Sequence, residues 1–141
     1  MVEKIIGFFY IIFMREETTI EVKNYIKQVF PELRPMQING CVEYNINIQY
    51  TDAKDEFSMV RVYDYQVQIG EGFKIENDML KPTEHDWPST PIYTDDEDLP
   101  EIKQLIDQMK KQFVKFKIYL KKQEIEKDFK NNVNKKLQNS V

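Results

Sequence analysis

Residues 102–120, with the sequence IKQLIDQMKKQFVKFKIYL, decide the fold of this chain. Alternating steps of four and three separate the strongly apolar positions, which are Ile102, Ile106, Met109, Phe113, Phe116 and Leu120. That spacing places these side chains on one side of an α-helix, and Leu105 and Tyr119 widen the apolar side. The stretch therefore predicts a helix that packs against the rest of the domain.

The predicted helix extends beyond this stretch in both directions. It opens at Asp98-Leu99-Pro100-Glu101, a capping pattern with proline in the first turn, and it continues to about Leu137. After Leu120 the apolar positions change to steps of four, at Ile125, Phe129, Val133 and Leu137. A step of four is about 400° of rotation, so this second stripe drifts by about 40° per turn around the helix.

The predicted helix is longer than the domain is wide. Forty helical residues measure about 60 Å, whereas a compact domain of this size has a diameter of about 37 Å. An unbroken helix overhangs the body by about 20 Å on those figures. The far end then folds back, frays or is covered by another chain. We favour cover by another chain and assign Ile125, Phe129, Val133 and Leu137 to partner binding.

Charge also divides the chain. Residues 1–102 hold nine Lys and Arg against twenty Asp and Glu, a net charge of −11. Residues 103–141 hold eleven Lys against four acidic residues, a net charge of +7. The basic helix of one copy therefore suits the acidic body of the next, and Lys121 and Lys122 join the predicted partner-binding residues. Such head-to-tail contacts close into rings or continue as filaments.

The same lysines allow a second kind of partner, nucleic acid. Lys contacts phosphate as a point charge, and Arg, the usual base reader, is absent after residue 102. Binding of this kind is non-specific and sensitive to salt. Because the lysines spread around the helix and do not follow one stripe, we favour a protein partner over nucleic acid.

The N-terminal run 5–14, IIGFFYIIFM, is strongly apolar. It is shorter than the roughly twenty residues that cross a bilayer, and Arg15-Glu16-Glu17 follows it without a small-residue cleavage site. Its aromatic and β-branched residues predict a strand covered on both faces. We therefore expect no signal peptide, no transmembrane helix and no membrane partner, with a cytoplasmic or virion location.

A short helix is predicted after this strand. Thr18-Thr19-Ile20-Glu21 matches a capping box, and Pro31 stops the helix because the residue before proline resists helical geometry. Further along, Cys41 is the single cysteine, so no disulfide forms within the chain and a reducing environment is expected. We interpret Cys41 as a small buried residue near the start of a strand.

An antiparallel meander is predicted next. Apolar and polar residues alternate from Gly40 to Tyr50, the clearest strand pattern in the chain. A second strand is predicted for Phe57 to Ile69, with a bulge near residues 61–63 because its two halves alternate out of phase. A short third strand is predicted to begin at Phe73, after a turn at residues 70–72.

Residues 77–97 predict a loop of about twenty residues, with a brief strand at Ile92-Tyr93. Loops of this length are usually functional or ordered by a partner, so Trp87 joins the predicted partner-binding residues. His85 is the single histidine, and its neighbouring carboxylates lack metal-ligand spacing. The acidic run 95–98 lacks the spacing of a calcium loop and suits the start of a helix.

Together these patterns predict an α+β fold: an N-terminal strand, a short helix, an antiparallel β-meander, a long loop and a long C-terminal α-helix. Residues 1–97 form an acidic body, and residues 98–141 form the basic helix of the same single domain. The order of elements is similar to that of small bacteriophage neck and tail-completion proteins.

The functional prediction is a non-enzymatic structural or assembly subunit of a larger, symmetric complex, with a virion neck, connector or ring protein as its most concrete form. No catalytic residue is expected, because the sequence does not place a nucleophile beside its single histidine as a base. No metal or cofactor is expected either. The first alternative is a regulatory or inhibitor protein that binds a basic partner through its acidic body. The second is non-specific nucleic-acid binding through the Lys-rich helix.

Overall fold

The computed structural model describes residues 14–50, 57–82 and 91–139. Its elements are α1 (Glu16–Val29), β1 (Arg34–Ile38), β2 (Cys41–Ile46), β3 (Phe57–Tyr63), β4 (Val67–Ile69), β5 (Phe73–Glu76), β6 (Met79–Pro82), β7 (Ile92–Tyr93) and α2 (Leu99–Asn139). Five strands form an antiparallel sheet in the order β1-β2-β3-β4-β7, and β5 and β6 form a separate hairpin. The predicted α+β class is confirmed.

Helix α2 supplies one side of the core, as its heptad spacing predicts. Ile102, Ile106, Met109, Phe113 and Phe116 are fully buried, and Leu105, Tyr119 and Leu120 pack partly buried against the same cluster. The same buried cluster includes sheet residues such as Val60, Val62, Val67 and Ile69. The first half of α2 is therefore integral to the body.

The predicted bulge near residues 61–63 is wrong. The stretch 57–69 is two strands, β3 and β4, joined by a tight turn in which Tyr63 N–H donates to Gln66 O at 2.9 Å. The turn reverses the chain, so the two halves reach the same buried side although their alternation is out of phase. The β2–β3 pairing shifts register elsewhere: the consecutive residues Tyr44 and Asn45 of β2 face Val60 and Ser58, so Met59 is an extra residue in β3.

Strand β2 is shorter than its alternation predicts, because it ends at Ile46 and a 3-10 turn follows at Ile48–Tyr50. The turn directs Tyr50 onto α2, where its ring meets Phe113 edge-on at 5.2 Å and Phe116 at 6.2 Å between centroids. Cys41 is buried at the start of β2, as predicted. Burial raises the pKa of its thiol.

Two hairpins lie where the sequence analysis placed none. Strand β1 pairs with β2 across Asn39-Gly40, with Gly40 at φ +81°, and Asn-Gly is a strong hairpin signal. Strands β5 and β6 pair across Asn77 and Asp78, both at positive φ. The prediction of a loop from residue 77 is therefore wrong for residues 79–82, whereas the brief strand at Ile92–Tyr93 is confirmed.

Helix α1 starts two residues before the predicted cap. Arg15 occupies the N-cap without a side-chain cap, and Thr18 and Thr19 are buried inside the helix. Their hydroxyls bond elsewhere, so the predicted capping box is wrong. The predicted stop is correct, because the helix ends at Val29, just before Pro31.

Asp96 ties the starts of the two helices together. Its Oδ1 accepts from the Thr18 hydroxyl at 2.7 Å and from the Arg15 backbone N–H at 2.8 Å, and the Arg15 guanidinium lies 3.1 Å from Oδ2. The Thr18 hydrogen bond, the Arg15 N–H and the Arg15 charge together lower the pKa of Asp96. The acidic run thus fastens α1 to the segment that leads into α2.

A capping box lies one turn before the predicted one, on the 3-10 turn that leads into α2. Asp95 and Asp98 form a reciprocal capping box around a 3-10 turn at Asp96–Asp98, with Glu97 N–H donating to Asp95 Oδ1 and Asp95 N–H to Asp98 Oδ2. The α-helix then begins at Leu99. The acidic residues serve the positive end of the helix, as expected.

Replacing Thr18 by Val is expected to cost about 1–2 kcal/mol at neutral pH, since the lost hydrogen bond ends on a carboxylate that is one-third exposed. The lowered pKa of Asp96 means that its stabilisation is present above the ordinary carboxyl pKa and is lost as pH falls through the folded value. Urea unfolding at pH 7 and pH 3 should therefore show a smaller cost at pH 3.

Thr19→Val is the matched control. The Thr19 hydroxyl donates to the backbone carbonyls of Glu16 and Asp64, at 2.8 and 3.0 Å, and neither acceptor titrates. The loss of unfolding free energy caused by Thr19→Val should therefore be the same at pH 7 and pH 3. The role assigned to Asp96 is wrong if both substitutions show the same pH dependence.

Candidate protein-interaction site

Helix α2 leaves the body at a defined point. Gln112 Oε1 accepts from the Phe73 N–H of the β5–β6 hairpin at 2.7 Å. Two turns later the Tyr119 hydroxyl donates to Asp78 at the tip of that hairpin, which raises the pKa of Tyr119. Leu120 is the last residue of the helix that packs against the core. The hairpin thus holds the helix until the chain leaves the globule.

Residues 121–139, which we call the arm, continue α2 without interruption. Every residue of the arm is exposed. Nineteen residues extend the helix by about 28 Å beyond its last contact with the body. This geometry agrees with the overhang that the helix length predicts.

The four apolar residues predicted to bind a partner all lie on the arm. The exposed fractions of the side chains of Ile125, Phe129, Val133 and Leu137 are 60%, 67%, 39% and 62%. Since they are spaced by four residues, they form one continuous ridge, which we call the arm ridge. Trp87, the fifth apolar residue of the prediction, lies outside the described residues, as do His85 and residues 5–13 of the N-terminal run.

The spacing of the arm ridge favours one kind of packing. A coiled-coil seam needs steps of three and four and crosses its partner at about +20°. A ridge of residues four apart fits between similar ridges on another helix at a crossing angle of about −50°. The arm ridge is therefore suited to crossing a helix and poorly suited to running alongside one.

Local forces stabilise the arm only weakly. Because α2 is already formed over its packed half, the arm avoids the cost of helix nucleation. Each further residue is held only by its own helix propensity, which is poor at Asn131, Asn132 and Asn134. Covering the arm ridge would bury apolar surface and supply the stabilisation that these residues lack.

Two lysines of α2 pair with carboxylates of the body. In the packed half, Lys103 pairs with Glu21 at 2.8 Å, and Lys110 pairs with Glu32. Partial burial of Glu32 opposes ionisation, but the hydrogen bond and charge of Lys110 lower its pKa overall. Lys103 and Lys110 also lie over the rings of Tyr25 and Phe30. These lysines join α2 to α1.

The lysines of the arm face solvent. The arm holds six Lys and three acidic residues, a net charge of +3, and it includes the predicted partner residues Lys121 and Lys122 at its base. The ion pairs formed among the described residues all lie before residue 111. The arm is thus an exposed basic segment with one apolar ridge.

The opposite end of the molecule is acidic. Contacts of Glu21 with Lys103, Tyr25 with Asp107 and Glu32 with Lys110 show that α1 and α2 run in the same direction. Their N-terminal ends therefore lie together, and the carboxylates gathered there belong to Glu16, Glu17, Asp95, Asp96, Glu97, Asp98 and Glu101. We call this region the acidic end. No local sequence pattern indicates the acidic end, because residues 16–17 and 95–101 are distant in the chain.

Outside the arm, the described surface has a groove but no metal-ligand cluster, and the described helices include no membrane-spanning stretch. A groove of about 440 Å³ lies between α1 and the start of the sheet, with Leu33 and Tyr44 in its lining and Lys23 and Lys27 beside them. Within the described ranges, no three His, Cys, Asp or Glu side chains are grouped to hold a metal ion. None of the helices that the structure describes contains an apolar stretch long enough to cross a membrane.

Comparisons with known proteins give no relative from which a function can be transferred. No protein-family model, no curated protein and no solved structure matches this chain.

Proposed function

We propose that this protein is a non-enzymatic assembly subunit that associates with further copies of itself through the arm. The single observation that carries the proposal is the arm ridge, a continuous apolar surface on the part of helix α2 that extends beyond the body. Isolated exposed apolar residues are ordinary on a protein surface, but a contiguous set rimmed by charge is typical of an interaction site.

A second copy is the partner because the chain carries both charges. The arm is basic, whereas residues 1–102 have a net charge of −11. Complementary charge speeds association and selects the partner surface, and burial of the apolar ridge supplies the affinity. In a ring, a virion neck or a connector, an arm of this length would bridge neighbouring subunits.

Nucleic acid explains the arm less well. Phosphate contacts need a basic surface, but Glu124, Glu126 and Asp128 interrupt the lysines of the arm. An apolar ridge has no counterpart on a phosphate backbone. The same ridge is the part of the arm that a protein surface would cover.

The proposal predicts that Phe129→Asp with Val133→Asp weakens self-association of the full chain at least 100-fold. Both side chains would be buried in the contact, and burial of an unpaired carboxylate costs several kcal/mol. Sedimentation velocity over a range of protein concentrations measures the association constant. Wild type should form an oligomer, and the double variant should not.

Asn131→Asp with Gln138→Glu is the matched control. It adds the same two negative charges to the same exposed helix, on the side away from the arm ridge. It should keep most of the association of wild type. The proposed function is wrong if wild type is a monomer at every concentration, or if both double variants associate as wild type does.

A further inference from the structure

The two ends of α2 differ in charge and cannot meet within one copy. The arm begins 22 residues after Leu99, about 33 Å along the helix, and extends away from the acidic end. Because the arm continues α2 as one uninterrupted helix, it points away from the acidic end of its own chain and does not reach it. Another copy has no such restriction.

Helix α1 presents a suitable surface at the acidic end. Ile20 is 46% exposed, and the carboxylates of Glu16 and Glu17 lie one turn before it on the same outer side of the helix. Glu16, Ile20, Asn24 and Gln28 are all exposed and are spaced by four residues, so they form a ridge of the same kind as the arm ridge. Two such ridges interlock at a crossing angle of about −50°.

The arm ridge of one copy can contact either the arm or helix α1 of another copy, and charge favours α1. Contact between two arms brings together two segments of charge +3 each, which repel. Contact with the first turns of α1 places the lysines of the arm beside Glu16 and Glu17. The C-terminal half of α1 is less suitable, because Lys23 and Lys27 border its groove.

We infer that the arm of one copy docks across the first two turns of α1 in the next copy, so that the protein assembles head to tail. The inference rests on the proposed function and specifies its contact. Since each copy uses two different surfaces, the contact is heterologous and continues into a closed ring or an open filament. An arm-to-arm contact would be isologous and would stop at a dimer.

Mixing two variants tests the polarity of the contact. Phe129→Asp with Val133→Asp removes the arm ridge and leaves α1 intact. Glu17→Lys with Ile20→Lys removes the proposed acceptor and leaves the arm intact. Each variant alone should be a monomer in sedimentation velocity, whereas an equimolar mixture should form one-to-one pairs and nothing larger.

Lysine at the start of α1 is unfavourable for the helix and could unfold it, so a second acceptor variant is needed. Glu17→Gln with Ile20→Gln alters the same two residues without adding positive charge. It should weaken assembly at least tenfold while its circular dichroism spectrum stays that of wild type. Raising salt from 0.05 to 0.5 M should weaken assembly of the wild type about tenfold, because the paired charges are exposed.

The outcomes separate this inference from the proposed function. If the wild type assembles but the mixture stays monomeric, the contact is not head to tail and the inference is wrong, while the assembly role stands. If either acceptor variant assembles as the wild type does, the acceptor is not α1. If the wild type does not assemble, the proposed function itself is wrong.

Discussion

Phe113→Ala is expected to lower the free energy of unfolding by about 3–5 kcal/mol, the typical cost of truncating a buried aromatic side chain. Phe113 is fully buried and joins three elements. Its ring lies 5.4 Å from that of Phe30, where α1 ends, and 5.2 Å from that of Tyr50. Truncation leaves a cavity beside these two rings that the closely packed neighbours fill only in part. Denaturant unfolding followed by circular dichroism measures the loss.

Val114→Ala is the control for this substitution. Val114 is the next residue of α2 and is 41% exposed, so its truncation opens no cavity. Ala also has the better helix propensity, and the expected change is within about 0.5 kcal/mol. A cost below about 1 kcal/mol for Phe113→Ala would contradict the placement of its ring at the centre of the core.

Gly72→Ala is expected to cost about 2–4 kcal/mol, from backbone strain and a lost hydrogen bond. Gly72 has φ +141°, a conformation that residues with a Cβ rarely adopt. An added Cβ would lie 2.5 Å from Gln112 Oε1, the atom that accepts from Phe73 N–H. The flexible Gln112 side chain can move aside, but its hydrogen bond with the Phe73 N–H is then lost. Denaturant unfolding measures the change.

Two further substitutions separate strain from contact. Gly40 also has a positive φ, at +81°, but no atom lies within 4 Å of its ideal Cβ position. Gly40→Ala should therefore cost only the strain, about 1 kcal/mol. Gly72→Ala should cost less in a Gln112→Ala background than in wild type. Equal costs for both glycines, together with additivity of Gly72→Ala and Gln112→Ala, would contradict a role for Gln112.

The buried side of an element was predicted best where one periodicity extends over many turns. The apolar steps from Ile102 to Phe116 locate the buried side of α2, because five consecutive core contacts must all lie on one helix face. The alternation of β2 was also informative as far as Tyr44, although it wrongly predicted Asn45 to face solvent, and Asn45 is buried. It failed at Tyr50, where a 3-10 turn redirects the side chain toward Phe113.

Errors occurred where short polar segments have more than one local structure. The turn after Tyr63 and a bulge both explain a change in phase, and periodicity does not distinguish between them. Thr18 matches a helix cap by sequence, but in the fold its hydroxyl bonds to Asp96, 78 residues away. Such long-range partners override local capping preferences, because they depend on which ends of the two helices meet.

The chain by itself determined that an apolar face ends at Leu120 while the helical pattern continues, because both properties are local and repeat every turn. It also determined the separation of acidic and basic residues. Only the folded molecule decided that α1 and α2 run in the same direction, which gathers carboxylates from residues 16–17 and 95–101 at one end and leaves the arm at the other. Helix direction follows from packing across the sheet, and no spacing within a single segment encodes it.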